Sequence, residues 1–268
     1  MTKDRSNRPQ RDGKRSRAQA QVQLPTEDLL LASPRAVGTN KLEPKTPRQR
    51  KMMATVGAHQ LTFVTGPAGT GKTYVAAAMA ALALRDKVVK QVIITRPNVE
   101  AGTPMGFLPG DKEEKFDPYF LPVKQVFERI LGAATVEMYI KSGKIATHPL
   151  SFMRGHTFED AFVLADEMQN ATPKEMELFL TRIGEYSKVV VDGDPHQKDT
   201  PAHVKCGLSD AIKRLKNNRH VGLVEFDIDD IVRSGLVRDV ILAYRNESSN
   251  DNAHSNRTNA APDVRRAA

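Results

Sequence analysis

Apolar and polar positions fall into two kinds of block along the chain. Short continuous apolar runs occupy residues 60–65 (QLTFVT), 89–95 (VKQVIIT), 161–165 (AFVLA), 188–192 (KVVVD) and 221–226 (VGLVEF). Runs of this length, bounded by turn residues, predict buried strands. Residues 72–84 (KTYVAAAMAALAL) are rich in Ala and Leu and predict a helix. Residues 122–140, 173–183, 207–216 and 236–245 predict further helices, with Gly132 a candidate break in the first of these. Strands alternating with helices predict βαβ units and a mostly parallel sheet covered by helices on both faces. No internal repeat is visible.

Three segments depart from this alternation. Residues 96–120 mix Gly, Pro and charges with little regular pattern. An irregular stretch of that length inside a compact domain is functional or disordered, and its aromatics and Leu108 argue against simple disorder. Residues 1–44 are rich in Arg, Lys, Gln, Asn and Pro and predict a disordered basic arm; residues 246–268 predict a disordered tail. The domain between them spans 45–245.

Charge sharpens this division. The chain of 268 residues carries a formal net charge of +8, and residues 1–50 hold twelve Lys/Arg against five Asp/Glu. The basic character therefore belongs to the arm rather than to the folded body. The arm is either a polynucleotide contact or only a solubility tail. Trp is absent, which weakens any reading built on stacking platforms for single strands. Cys206 is the only cysteine, so neither a disulfide framework nor a thiolate metal site forms within one chain. No apolar run reaches the length of a membrane span, and none follows the basic N-terminus as in a secretory signal. The expectation is a soluble cytoplasmic protein with no membrane partner.

The chemistry is concentrated at the ends of the predicted strands. Gly66-Pro67-Ala68-Gly69-Thr70-Gly71-Lys72-Thr73 follows a strand and opens a helix, the context in which this pattern is a phosphate-binding P-loop. Its glycines let backbone N–H groups wrap close to phosphates, and the helix N-terminus adds partial positive charge. Lys72 is expected to reach the β- and γ-phosphates, and the Thr73 hydroxyl to ligate Mg2+. The strand at 161–165 ends in two carboxylates. Asp166 is the natural carboxylate for Mg2+, and Glu167 sits where it can polarise the attacking water. A Glu directly after this Asp favours hydrolysis of ATP over transfer to a second substrate. After the strand at 188–192 comes Gly193-Asp-Pro-His-Gln197, in which the amide of Gln197 is a candidate γ-phosphate reporter; read alone, this is also an ordinary turn after a strand.

Together these motifs resemble the PhoH family, a single-lobe relative of the superfamily 1 helicases. The resemblance covers roughly residues 45–245. It is carried by Gly66–Thr73, Thr95-Arg-Pro-x-Val-Glu-Ala-Gly102, Gly106-Phe-Leu-Pro-Gly-Asp111 with Lys115 and Pro118-Tyr119, and Arg154-Gly155 with Thr157-Phe158. Further matches are Asp166-Glu-Met-Gln-Asn170, Gly193-Asp194 with Gln197, Gly207-Leu208, Asp230-Ile-Val-Arg233 with Leu236-Val237, and Ala243-Tyr244. The block at 106–111 discriminates most, because generic P-loop proteins lack it. The resemblance implies a RecA-like (ASCE) P-loop NTPase core. It implies that Gln49 lies against adenine, where the plainer reading is a helix-start residue. It implies that Arg233 contacts the γ-phosphate, of its own or of a neighbouring subunit, where the plainer reading is a surface salt bridge. Arg96, Glu100 and Lys115 lie where such ATPases couple nucleotide state to nucleic-acid contacts. The sequence departs from the family pattern at His156, His196, Thr200 and Ser234-Gly235, all outside the P-loop and Asp166-Glu167.

The resulting expectation is an ATP- and Mg2+-dependent ATPase coupled to RNA or single-stranded nucleic acid. A single lobe makes a homo-oligomer, a ring being one such form, the expected working form. The alternatives are an ATP-switched binding module without helicase activity and a small-molecule kinase. No nuclease centre is expected from residues 1–44, and His148, His156 and His196 do not have metal-ligand spacing.

Overall fold

The computed structural model describes residues 42–97, 117–153, 155, 157–201, 203–233, 235–240 and 243. The element order is α1 (Pro47–Ala58), β1 (Leu61–Thr65), α2 (Lys72–Arg85), β2 (Gln91–Arg96), α3 (Asp117–Leu131), α4 (Ala133–Lys141) and β3 (Ile145–Pro149). It continues with β4 (Ala161–Ala165), α5 (Pro173–Leu180), β5 (Lys188–Gly193), α6 (Gly207–Leu215) and β6 (Val221–Glu225). Residues 235–240 are also helical.

The five predicted strands all form within a few residues of their expected ends, and so do the predicted helices, the end of the one over 236–245 lying outside the described residues. Gly132 does break the predicted helix over 122–140: its backbone, at φ 85° and ψ 143°, separates α3 from α4. Two elements were not expected from the pattern. β3 reads Ile-Ala-Thr-His-Pro, with only Ile145 fully buried, as befits a strand at the sheet edge. α1 begins on Thr46, whose side chain accepts from Gln49 N while Pro47 occupies the first turn.

The six strands form one parallel sheet in the order β3-β2-β4-β5-β1-β6. Helices cover both faces. Within β4, whose five residues are all buried, Phe162 and Leu164 join the core on one face, with Met52, Met53, Val75 to Leu84 and Phe127. Ala161, Val163 and Ala165 join the other, with Met153, Met176, Phe179 and Leu208. Period-two alternation thus feeds two cores from one strand. α2 is buried almost all round, and its alanines allow close approach to the sheet. Leu42, where the described chain begins, packs into the first core. Among the described residues, no helix is long and apolar enough to cross a membrane.

This order decides where the site lies. β5 inserts between β1 and β4. The carboxyl ends of these three neighbours open on one side, where open parallel sheets bind ligands.

Candidate functional site

The loop after β1 is shaped by its glycines. Gly66 has φ +132°, and a Cβ there would meet the Phe226 carbonyl oxygen at 2.4 Å. Gly71, at φ +85°, would bring its Cβ within 2.7 Å of Gln49 Nε2. Only glycine meets both the dihedral and the space. Gly71 is the N-cap of α2 and supplies no side-chain cap, so the first-turn N–H groups remain available for an anion. Lys72 Nζ donates to the carbonyls of Gly66 (2.7 Å) and Pro67 (3.0 Å), which holds the ammonium across the loop. Thr70 Oγ1 donates to Pro67 O at 3.0 Å. The segment after β6 braces the loop from outside, with Val232 N donating to Gly69 O at 3.0 Å.

Facing the loop are the ends of β4 and β5. Ala165 pairs with Val191, so Asp166 stands level with Asp192. Thr73 Oγ1 lies 3.2 Å from Asp166 Oδ1 and 3.0 Å from Asp192 Oδ2. Asp192 is 1% exposed. Burial, and after it the neighbouring Asp166, push its carboxyl well above the usual carboxylate range, while Lys72 pulls the other way.

Glu167 adopts a left-handed backbone, φ 54° and ψ 35°, uncommon for a residue with a Cβ. Its carboxylate accepts from Gln169 Nε2. Gln169 also donates to Gln197 O at 3.3 Å, and its Oε1 accepts from Asp194 N at 3.1 Å. One buried amide therefore ties Glu167 to the turn after β5. Gly193 makes room for it, since a Cβ there would stand 2.4 Å from Gln169 Oε1. Arg96, at the end of β2, reaches Glu167 Oε1 at 3.8 Å and Asp166 Oδ2 at 4.0 Å.

These groups border one cleft of about 780 Å3, inside the range of roughly 300–1,000 Å3 usual for small-ligand sites. Ala68, Gly69, Gly71, Lys72 and Thr73 form one wall, and Asp166, Glu167, Asp192 and Gln197 another. Gln49 and Arg233 lie at the margins, with Val123, Val126 and Arg129 of α3 on the remaining side. A hydroxyl and two carboxylates, with no imidazole or thiolate, form a hard oxygen donor set that fits Mg2+. Thr73 and Asp166 would hold the ion, and phosphate and water oxygens would complete its shell.

A family profile described as PhoH-like protein matches residues 41–245. The chain belongs to the PhoH family. It is 46% identical over 200 residues to a PhoH-like protein of Bacillus subtilis, covering 75% of this chain and 63% of that one. It is 44% identical over 208 residues to Protein PhoH of Escherichia coli K12, covering 77% and 59%. The chain thus spans about three fifths of the length of these PhoH relatives. Among solved structures it is similar to the UvsW helicase of bacteriophage T4, with TM-score 0.40 and 12% identity over 75% of this chain and 66% of that one; likeness at that level bears on neither fold nor function.

Within this PhoH domain, Gln49 performs the helix-start role and also touches the loop. Its Oε1 accepts from Lys45 N at 2.8 Å, and its Nε2 donates to Thr70 O at 2.9 Å. Arg233 is exposed at the cleft margin. Glu100, Lys115, the block at 106–111 and His156 lie outside the described residues. His196 N donates to Asp194 Oδ1, and no group of three or more His, Cys, Asp or Glu side chains placed to hold a metal ion occurs among the described residues. One residue of the cleft, Asp192, and one that holds Glu167, Gln169, carry little signal in the local pattern. Asp192 reads as the end of an apolar run, and Gln169 as one more polar residue after the paired acids. Gln169 had one clue, its place in the family match Asp166-Glu-Met-Gln-Asn170, which by itself gives it no role.

Proposed function

We propose that this chain is an ATPase that uses Mg2+ and couples hydrolysis to RNA or single-stranded nucleic acid. One observation carries the reading: Thr73 Oγ1 lies 3.2 Å from Asp166 Oδ1, with Glu167 beside it in the same cleft as Lys72. Loop, metal carboxylate and base thereby converge where a γ-phosphate would rest.

The first-turn N–H groups of α2 and Lys72 bind the phosphate oxygens. Thr73 and Asp166 would hold Mg2+, which would supply positive charge against the charge that builds on the phosphate oxygens. Glu167 accepts a proton as the oxygen of water bonds to the γ-phosphorus; the bridging oxygen departs with ADP, and inorganic phosphate is formed. Gln169 holds the Glu167 carboxylate on the turn that carries Gln197, so the base and the γ-phosphate reporter are positioned together. Gln49, placed against Gly71 and Thr70, keeps a second N–H and a second lone pair for an adenine edge.

Arg233 is read as the cation supplied to the phosphate edge of a neighbouring copy. Its exposure at the cleft margin supports this, as do the exposed Leu236, Val237 and Val240 on the helical segment that follows. The polynucleotide contact draws on the basic residues 1–44.

The test is phosphate release with and without RNA at low salt. Lys72→Ala is expected to weaken ATP binding. Glu167→Gln is expected to keep ATP binding and abolish turnover, and normal turnover in that variant would break the assignment of the base. An ATPase rate indifferent to every polynucleotide would leave an ATP-switched binding module.

A further inference from the structure

Asp192 is a buried carboxylate that the hydrolysis scheme above does not require. It projects from β5, between the P-loop strand and the strand of Asp166, and lines the cleft although only 1% exposed. The Thr73 hydroxyl stands within hydrogen-bonding distance of both aspartates. A hydroxyl carries one proton and can satisfy only one of them fully. Among the described residues, no ion pair joins Asp192 to a lysine or arginine.

The spacing has a second meaning. An octahedral Mg2+ with oxygens at about 2.1 Å holds adjacent ligand oxygens about 3.0 Å apart, the edge of the octahedron. The measured separations from Thr73 Oγ1 are 3.0 Å to Asp192 Oδ2 and 3.2 Å to Asp166 Oδ1. Each carboxylate oxygen thus stands from Thr73 Oγ1 at the distance of a neighbouring ligand on one small divalent ion. Two carboxylates balance its charge, whereas a site with one carboxylate and a hydroxyl relies on phosphate oxygens to do so.

We propose that Asp192 is a direct ligand of the divalent cation, so that Thr73, Asp166 and Asp192 hold the ion before any nucleotide arrives. The assignment rests on the reading of the cleft as a Mg2+-nucleotide site. It makes the ion part of the protein's own resting site, and ATP binds to a cleft already neutralised.

Mn2+ binding to the nucleotide-free protein, followed by electron paramagnetic resonance, tests this. The expected result is one Mn2+ per chain, displaced by excess Mg2+, with affinity reduced at least tenfold by Asp192→Asn and by Asp192→Ser. Melting in EDTA verifies that each variant is folded, and added Mg2+ is expected to raise the melting temperature of the wild type more than that of either variant. Absence of nucleotide-free Mn2+ binding in the wild type overturns the assignment. So do folded variants that both bind Mn2+ as tightly as the wild type. A fluorescent ATP analogue is titrated separately on the wild type. If it fails to bind, the ATPase reading falls, while the Mn2+ titration still decides the role of Asp192.

Discussion

Gln169 shows how much one side chain can organise. Its amide is 2% exposed and makes three contacts, to Glu167, Gln197 O and Asp194 N. Replacing it with alanine removes the brace on the Glu167 carboxylate but leaves the P-loop intact. Gln169→Ala is expected to lower turnover roughly tenfold or more, with ATP affinity little changed; a loss confined to affinity would refute the positioning role. Lys188 offers a different test. Its Nζ donates to Gly57 O and His59 O, both at 2.9 Å, at the C-terminal end of α1. Burial pushes its pKa down to about 8. Between that value and the ordinary lysine value near 10.4, the unfolded chain binds more protons than the folded one. The contribution of Lys188 to stability therefore rises with pH across that window and is flat below it. Denaturant unfolding of the wild type against Lys188→Met should show a relative gain of up to about 1.4 kcal/mol per pH unit there. A difference that stays constant from pH 7 to 10 would remove the shift.

Among the elements, α1 is, with β3, one that hydrophobic pattern did not reveal. Its apolar positions are few, and its start depends on Thr46 and Pro47. What holds it is contact with β6 and the first core, through Met52, Met53 and Val56. Gly222 permits the approach: a Cβ there would meet Thr55 Cγ2 at 2.3 Å and His59 Nδ1 at 3.0 Å. Gly222→Val is expected to cost about 1–3 kcal/mol by overpacking, and to weaken ATP binding by displacing Gln49 from Thr70. Unchanged affinity in a destabilised variant would separate α1 from the nucleotide site. α5 is the opposite case. Its Thr172-Pro-Lys-Glu175 start forms a complete capping box, a local device readable from sequence because it needs no distant partner.

For the whole molecule, the open margin of the cleft is the feature to test. If Arg233 acts on a neighbouring copy, Arg233→Ala and Lys72→Ala should each be inactive alone. Mixed together, they should regain part of the ATPase rate, because some interfaces then pair an intact loop with an intact arginine. No recovery in mixtures that exchange subunits would place Arg233 in its own site or outside catalysis. Polynucleotide stimulation should fall steeply as salt rises, as expected when lysines and arginines release counterions, and a salt-independent effect would point away from the basic residues.

The parallel α/β class, the P-loop and the paired acids Asp166-Glu167 were legible because each is written in a short stretch of chain. A strand followed by a glycine loop and a helix has its meaning locally, through backbone periodicity and dihedral needs. Strand order has no such local mark. It follows from which faces pack across the whole sheet, and only that order puts β5 between β1 and β4. The same order turns Asp192 from the end of an apolar run into a third oxygen beside Thr73 and Asp166, and turns Gln169 into a brace between two strands. The sequence by itself determined the loop and the paired acids at the strand ends; the tertiary structure decided how many carboxylates stand beside Thr73, because side chains more than a hundred positions apart become neighbours only when the sheet forms.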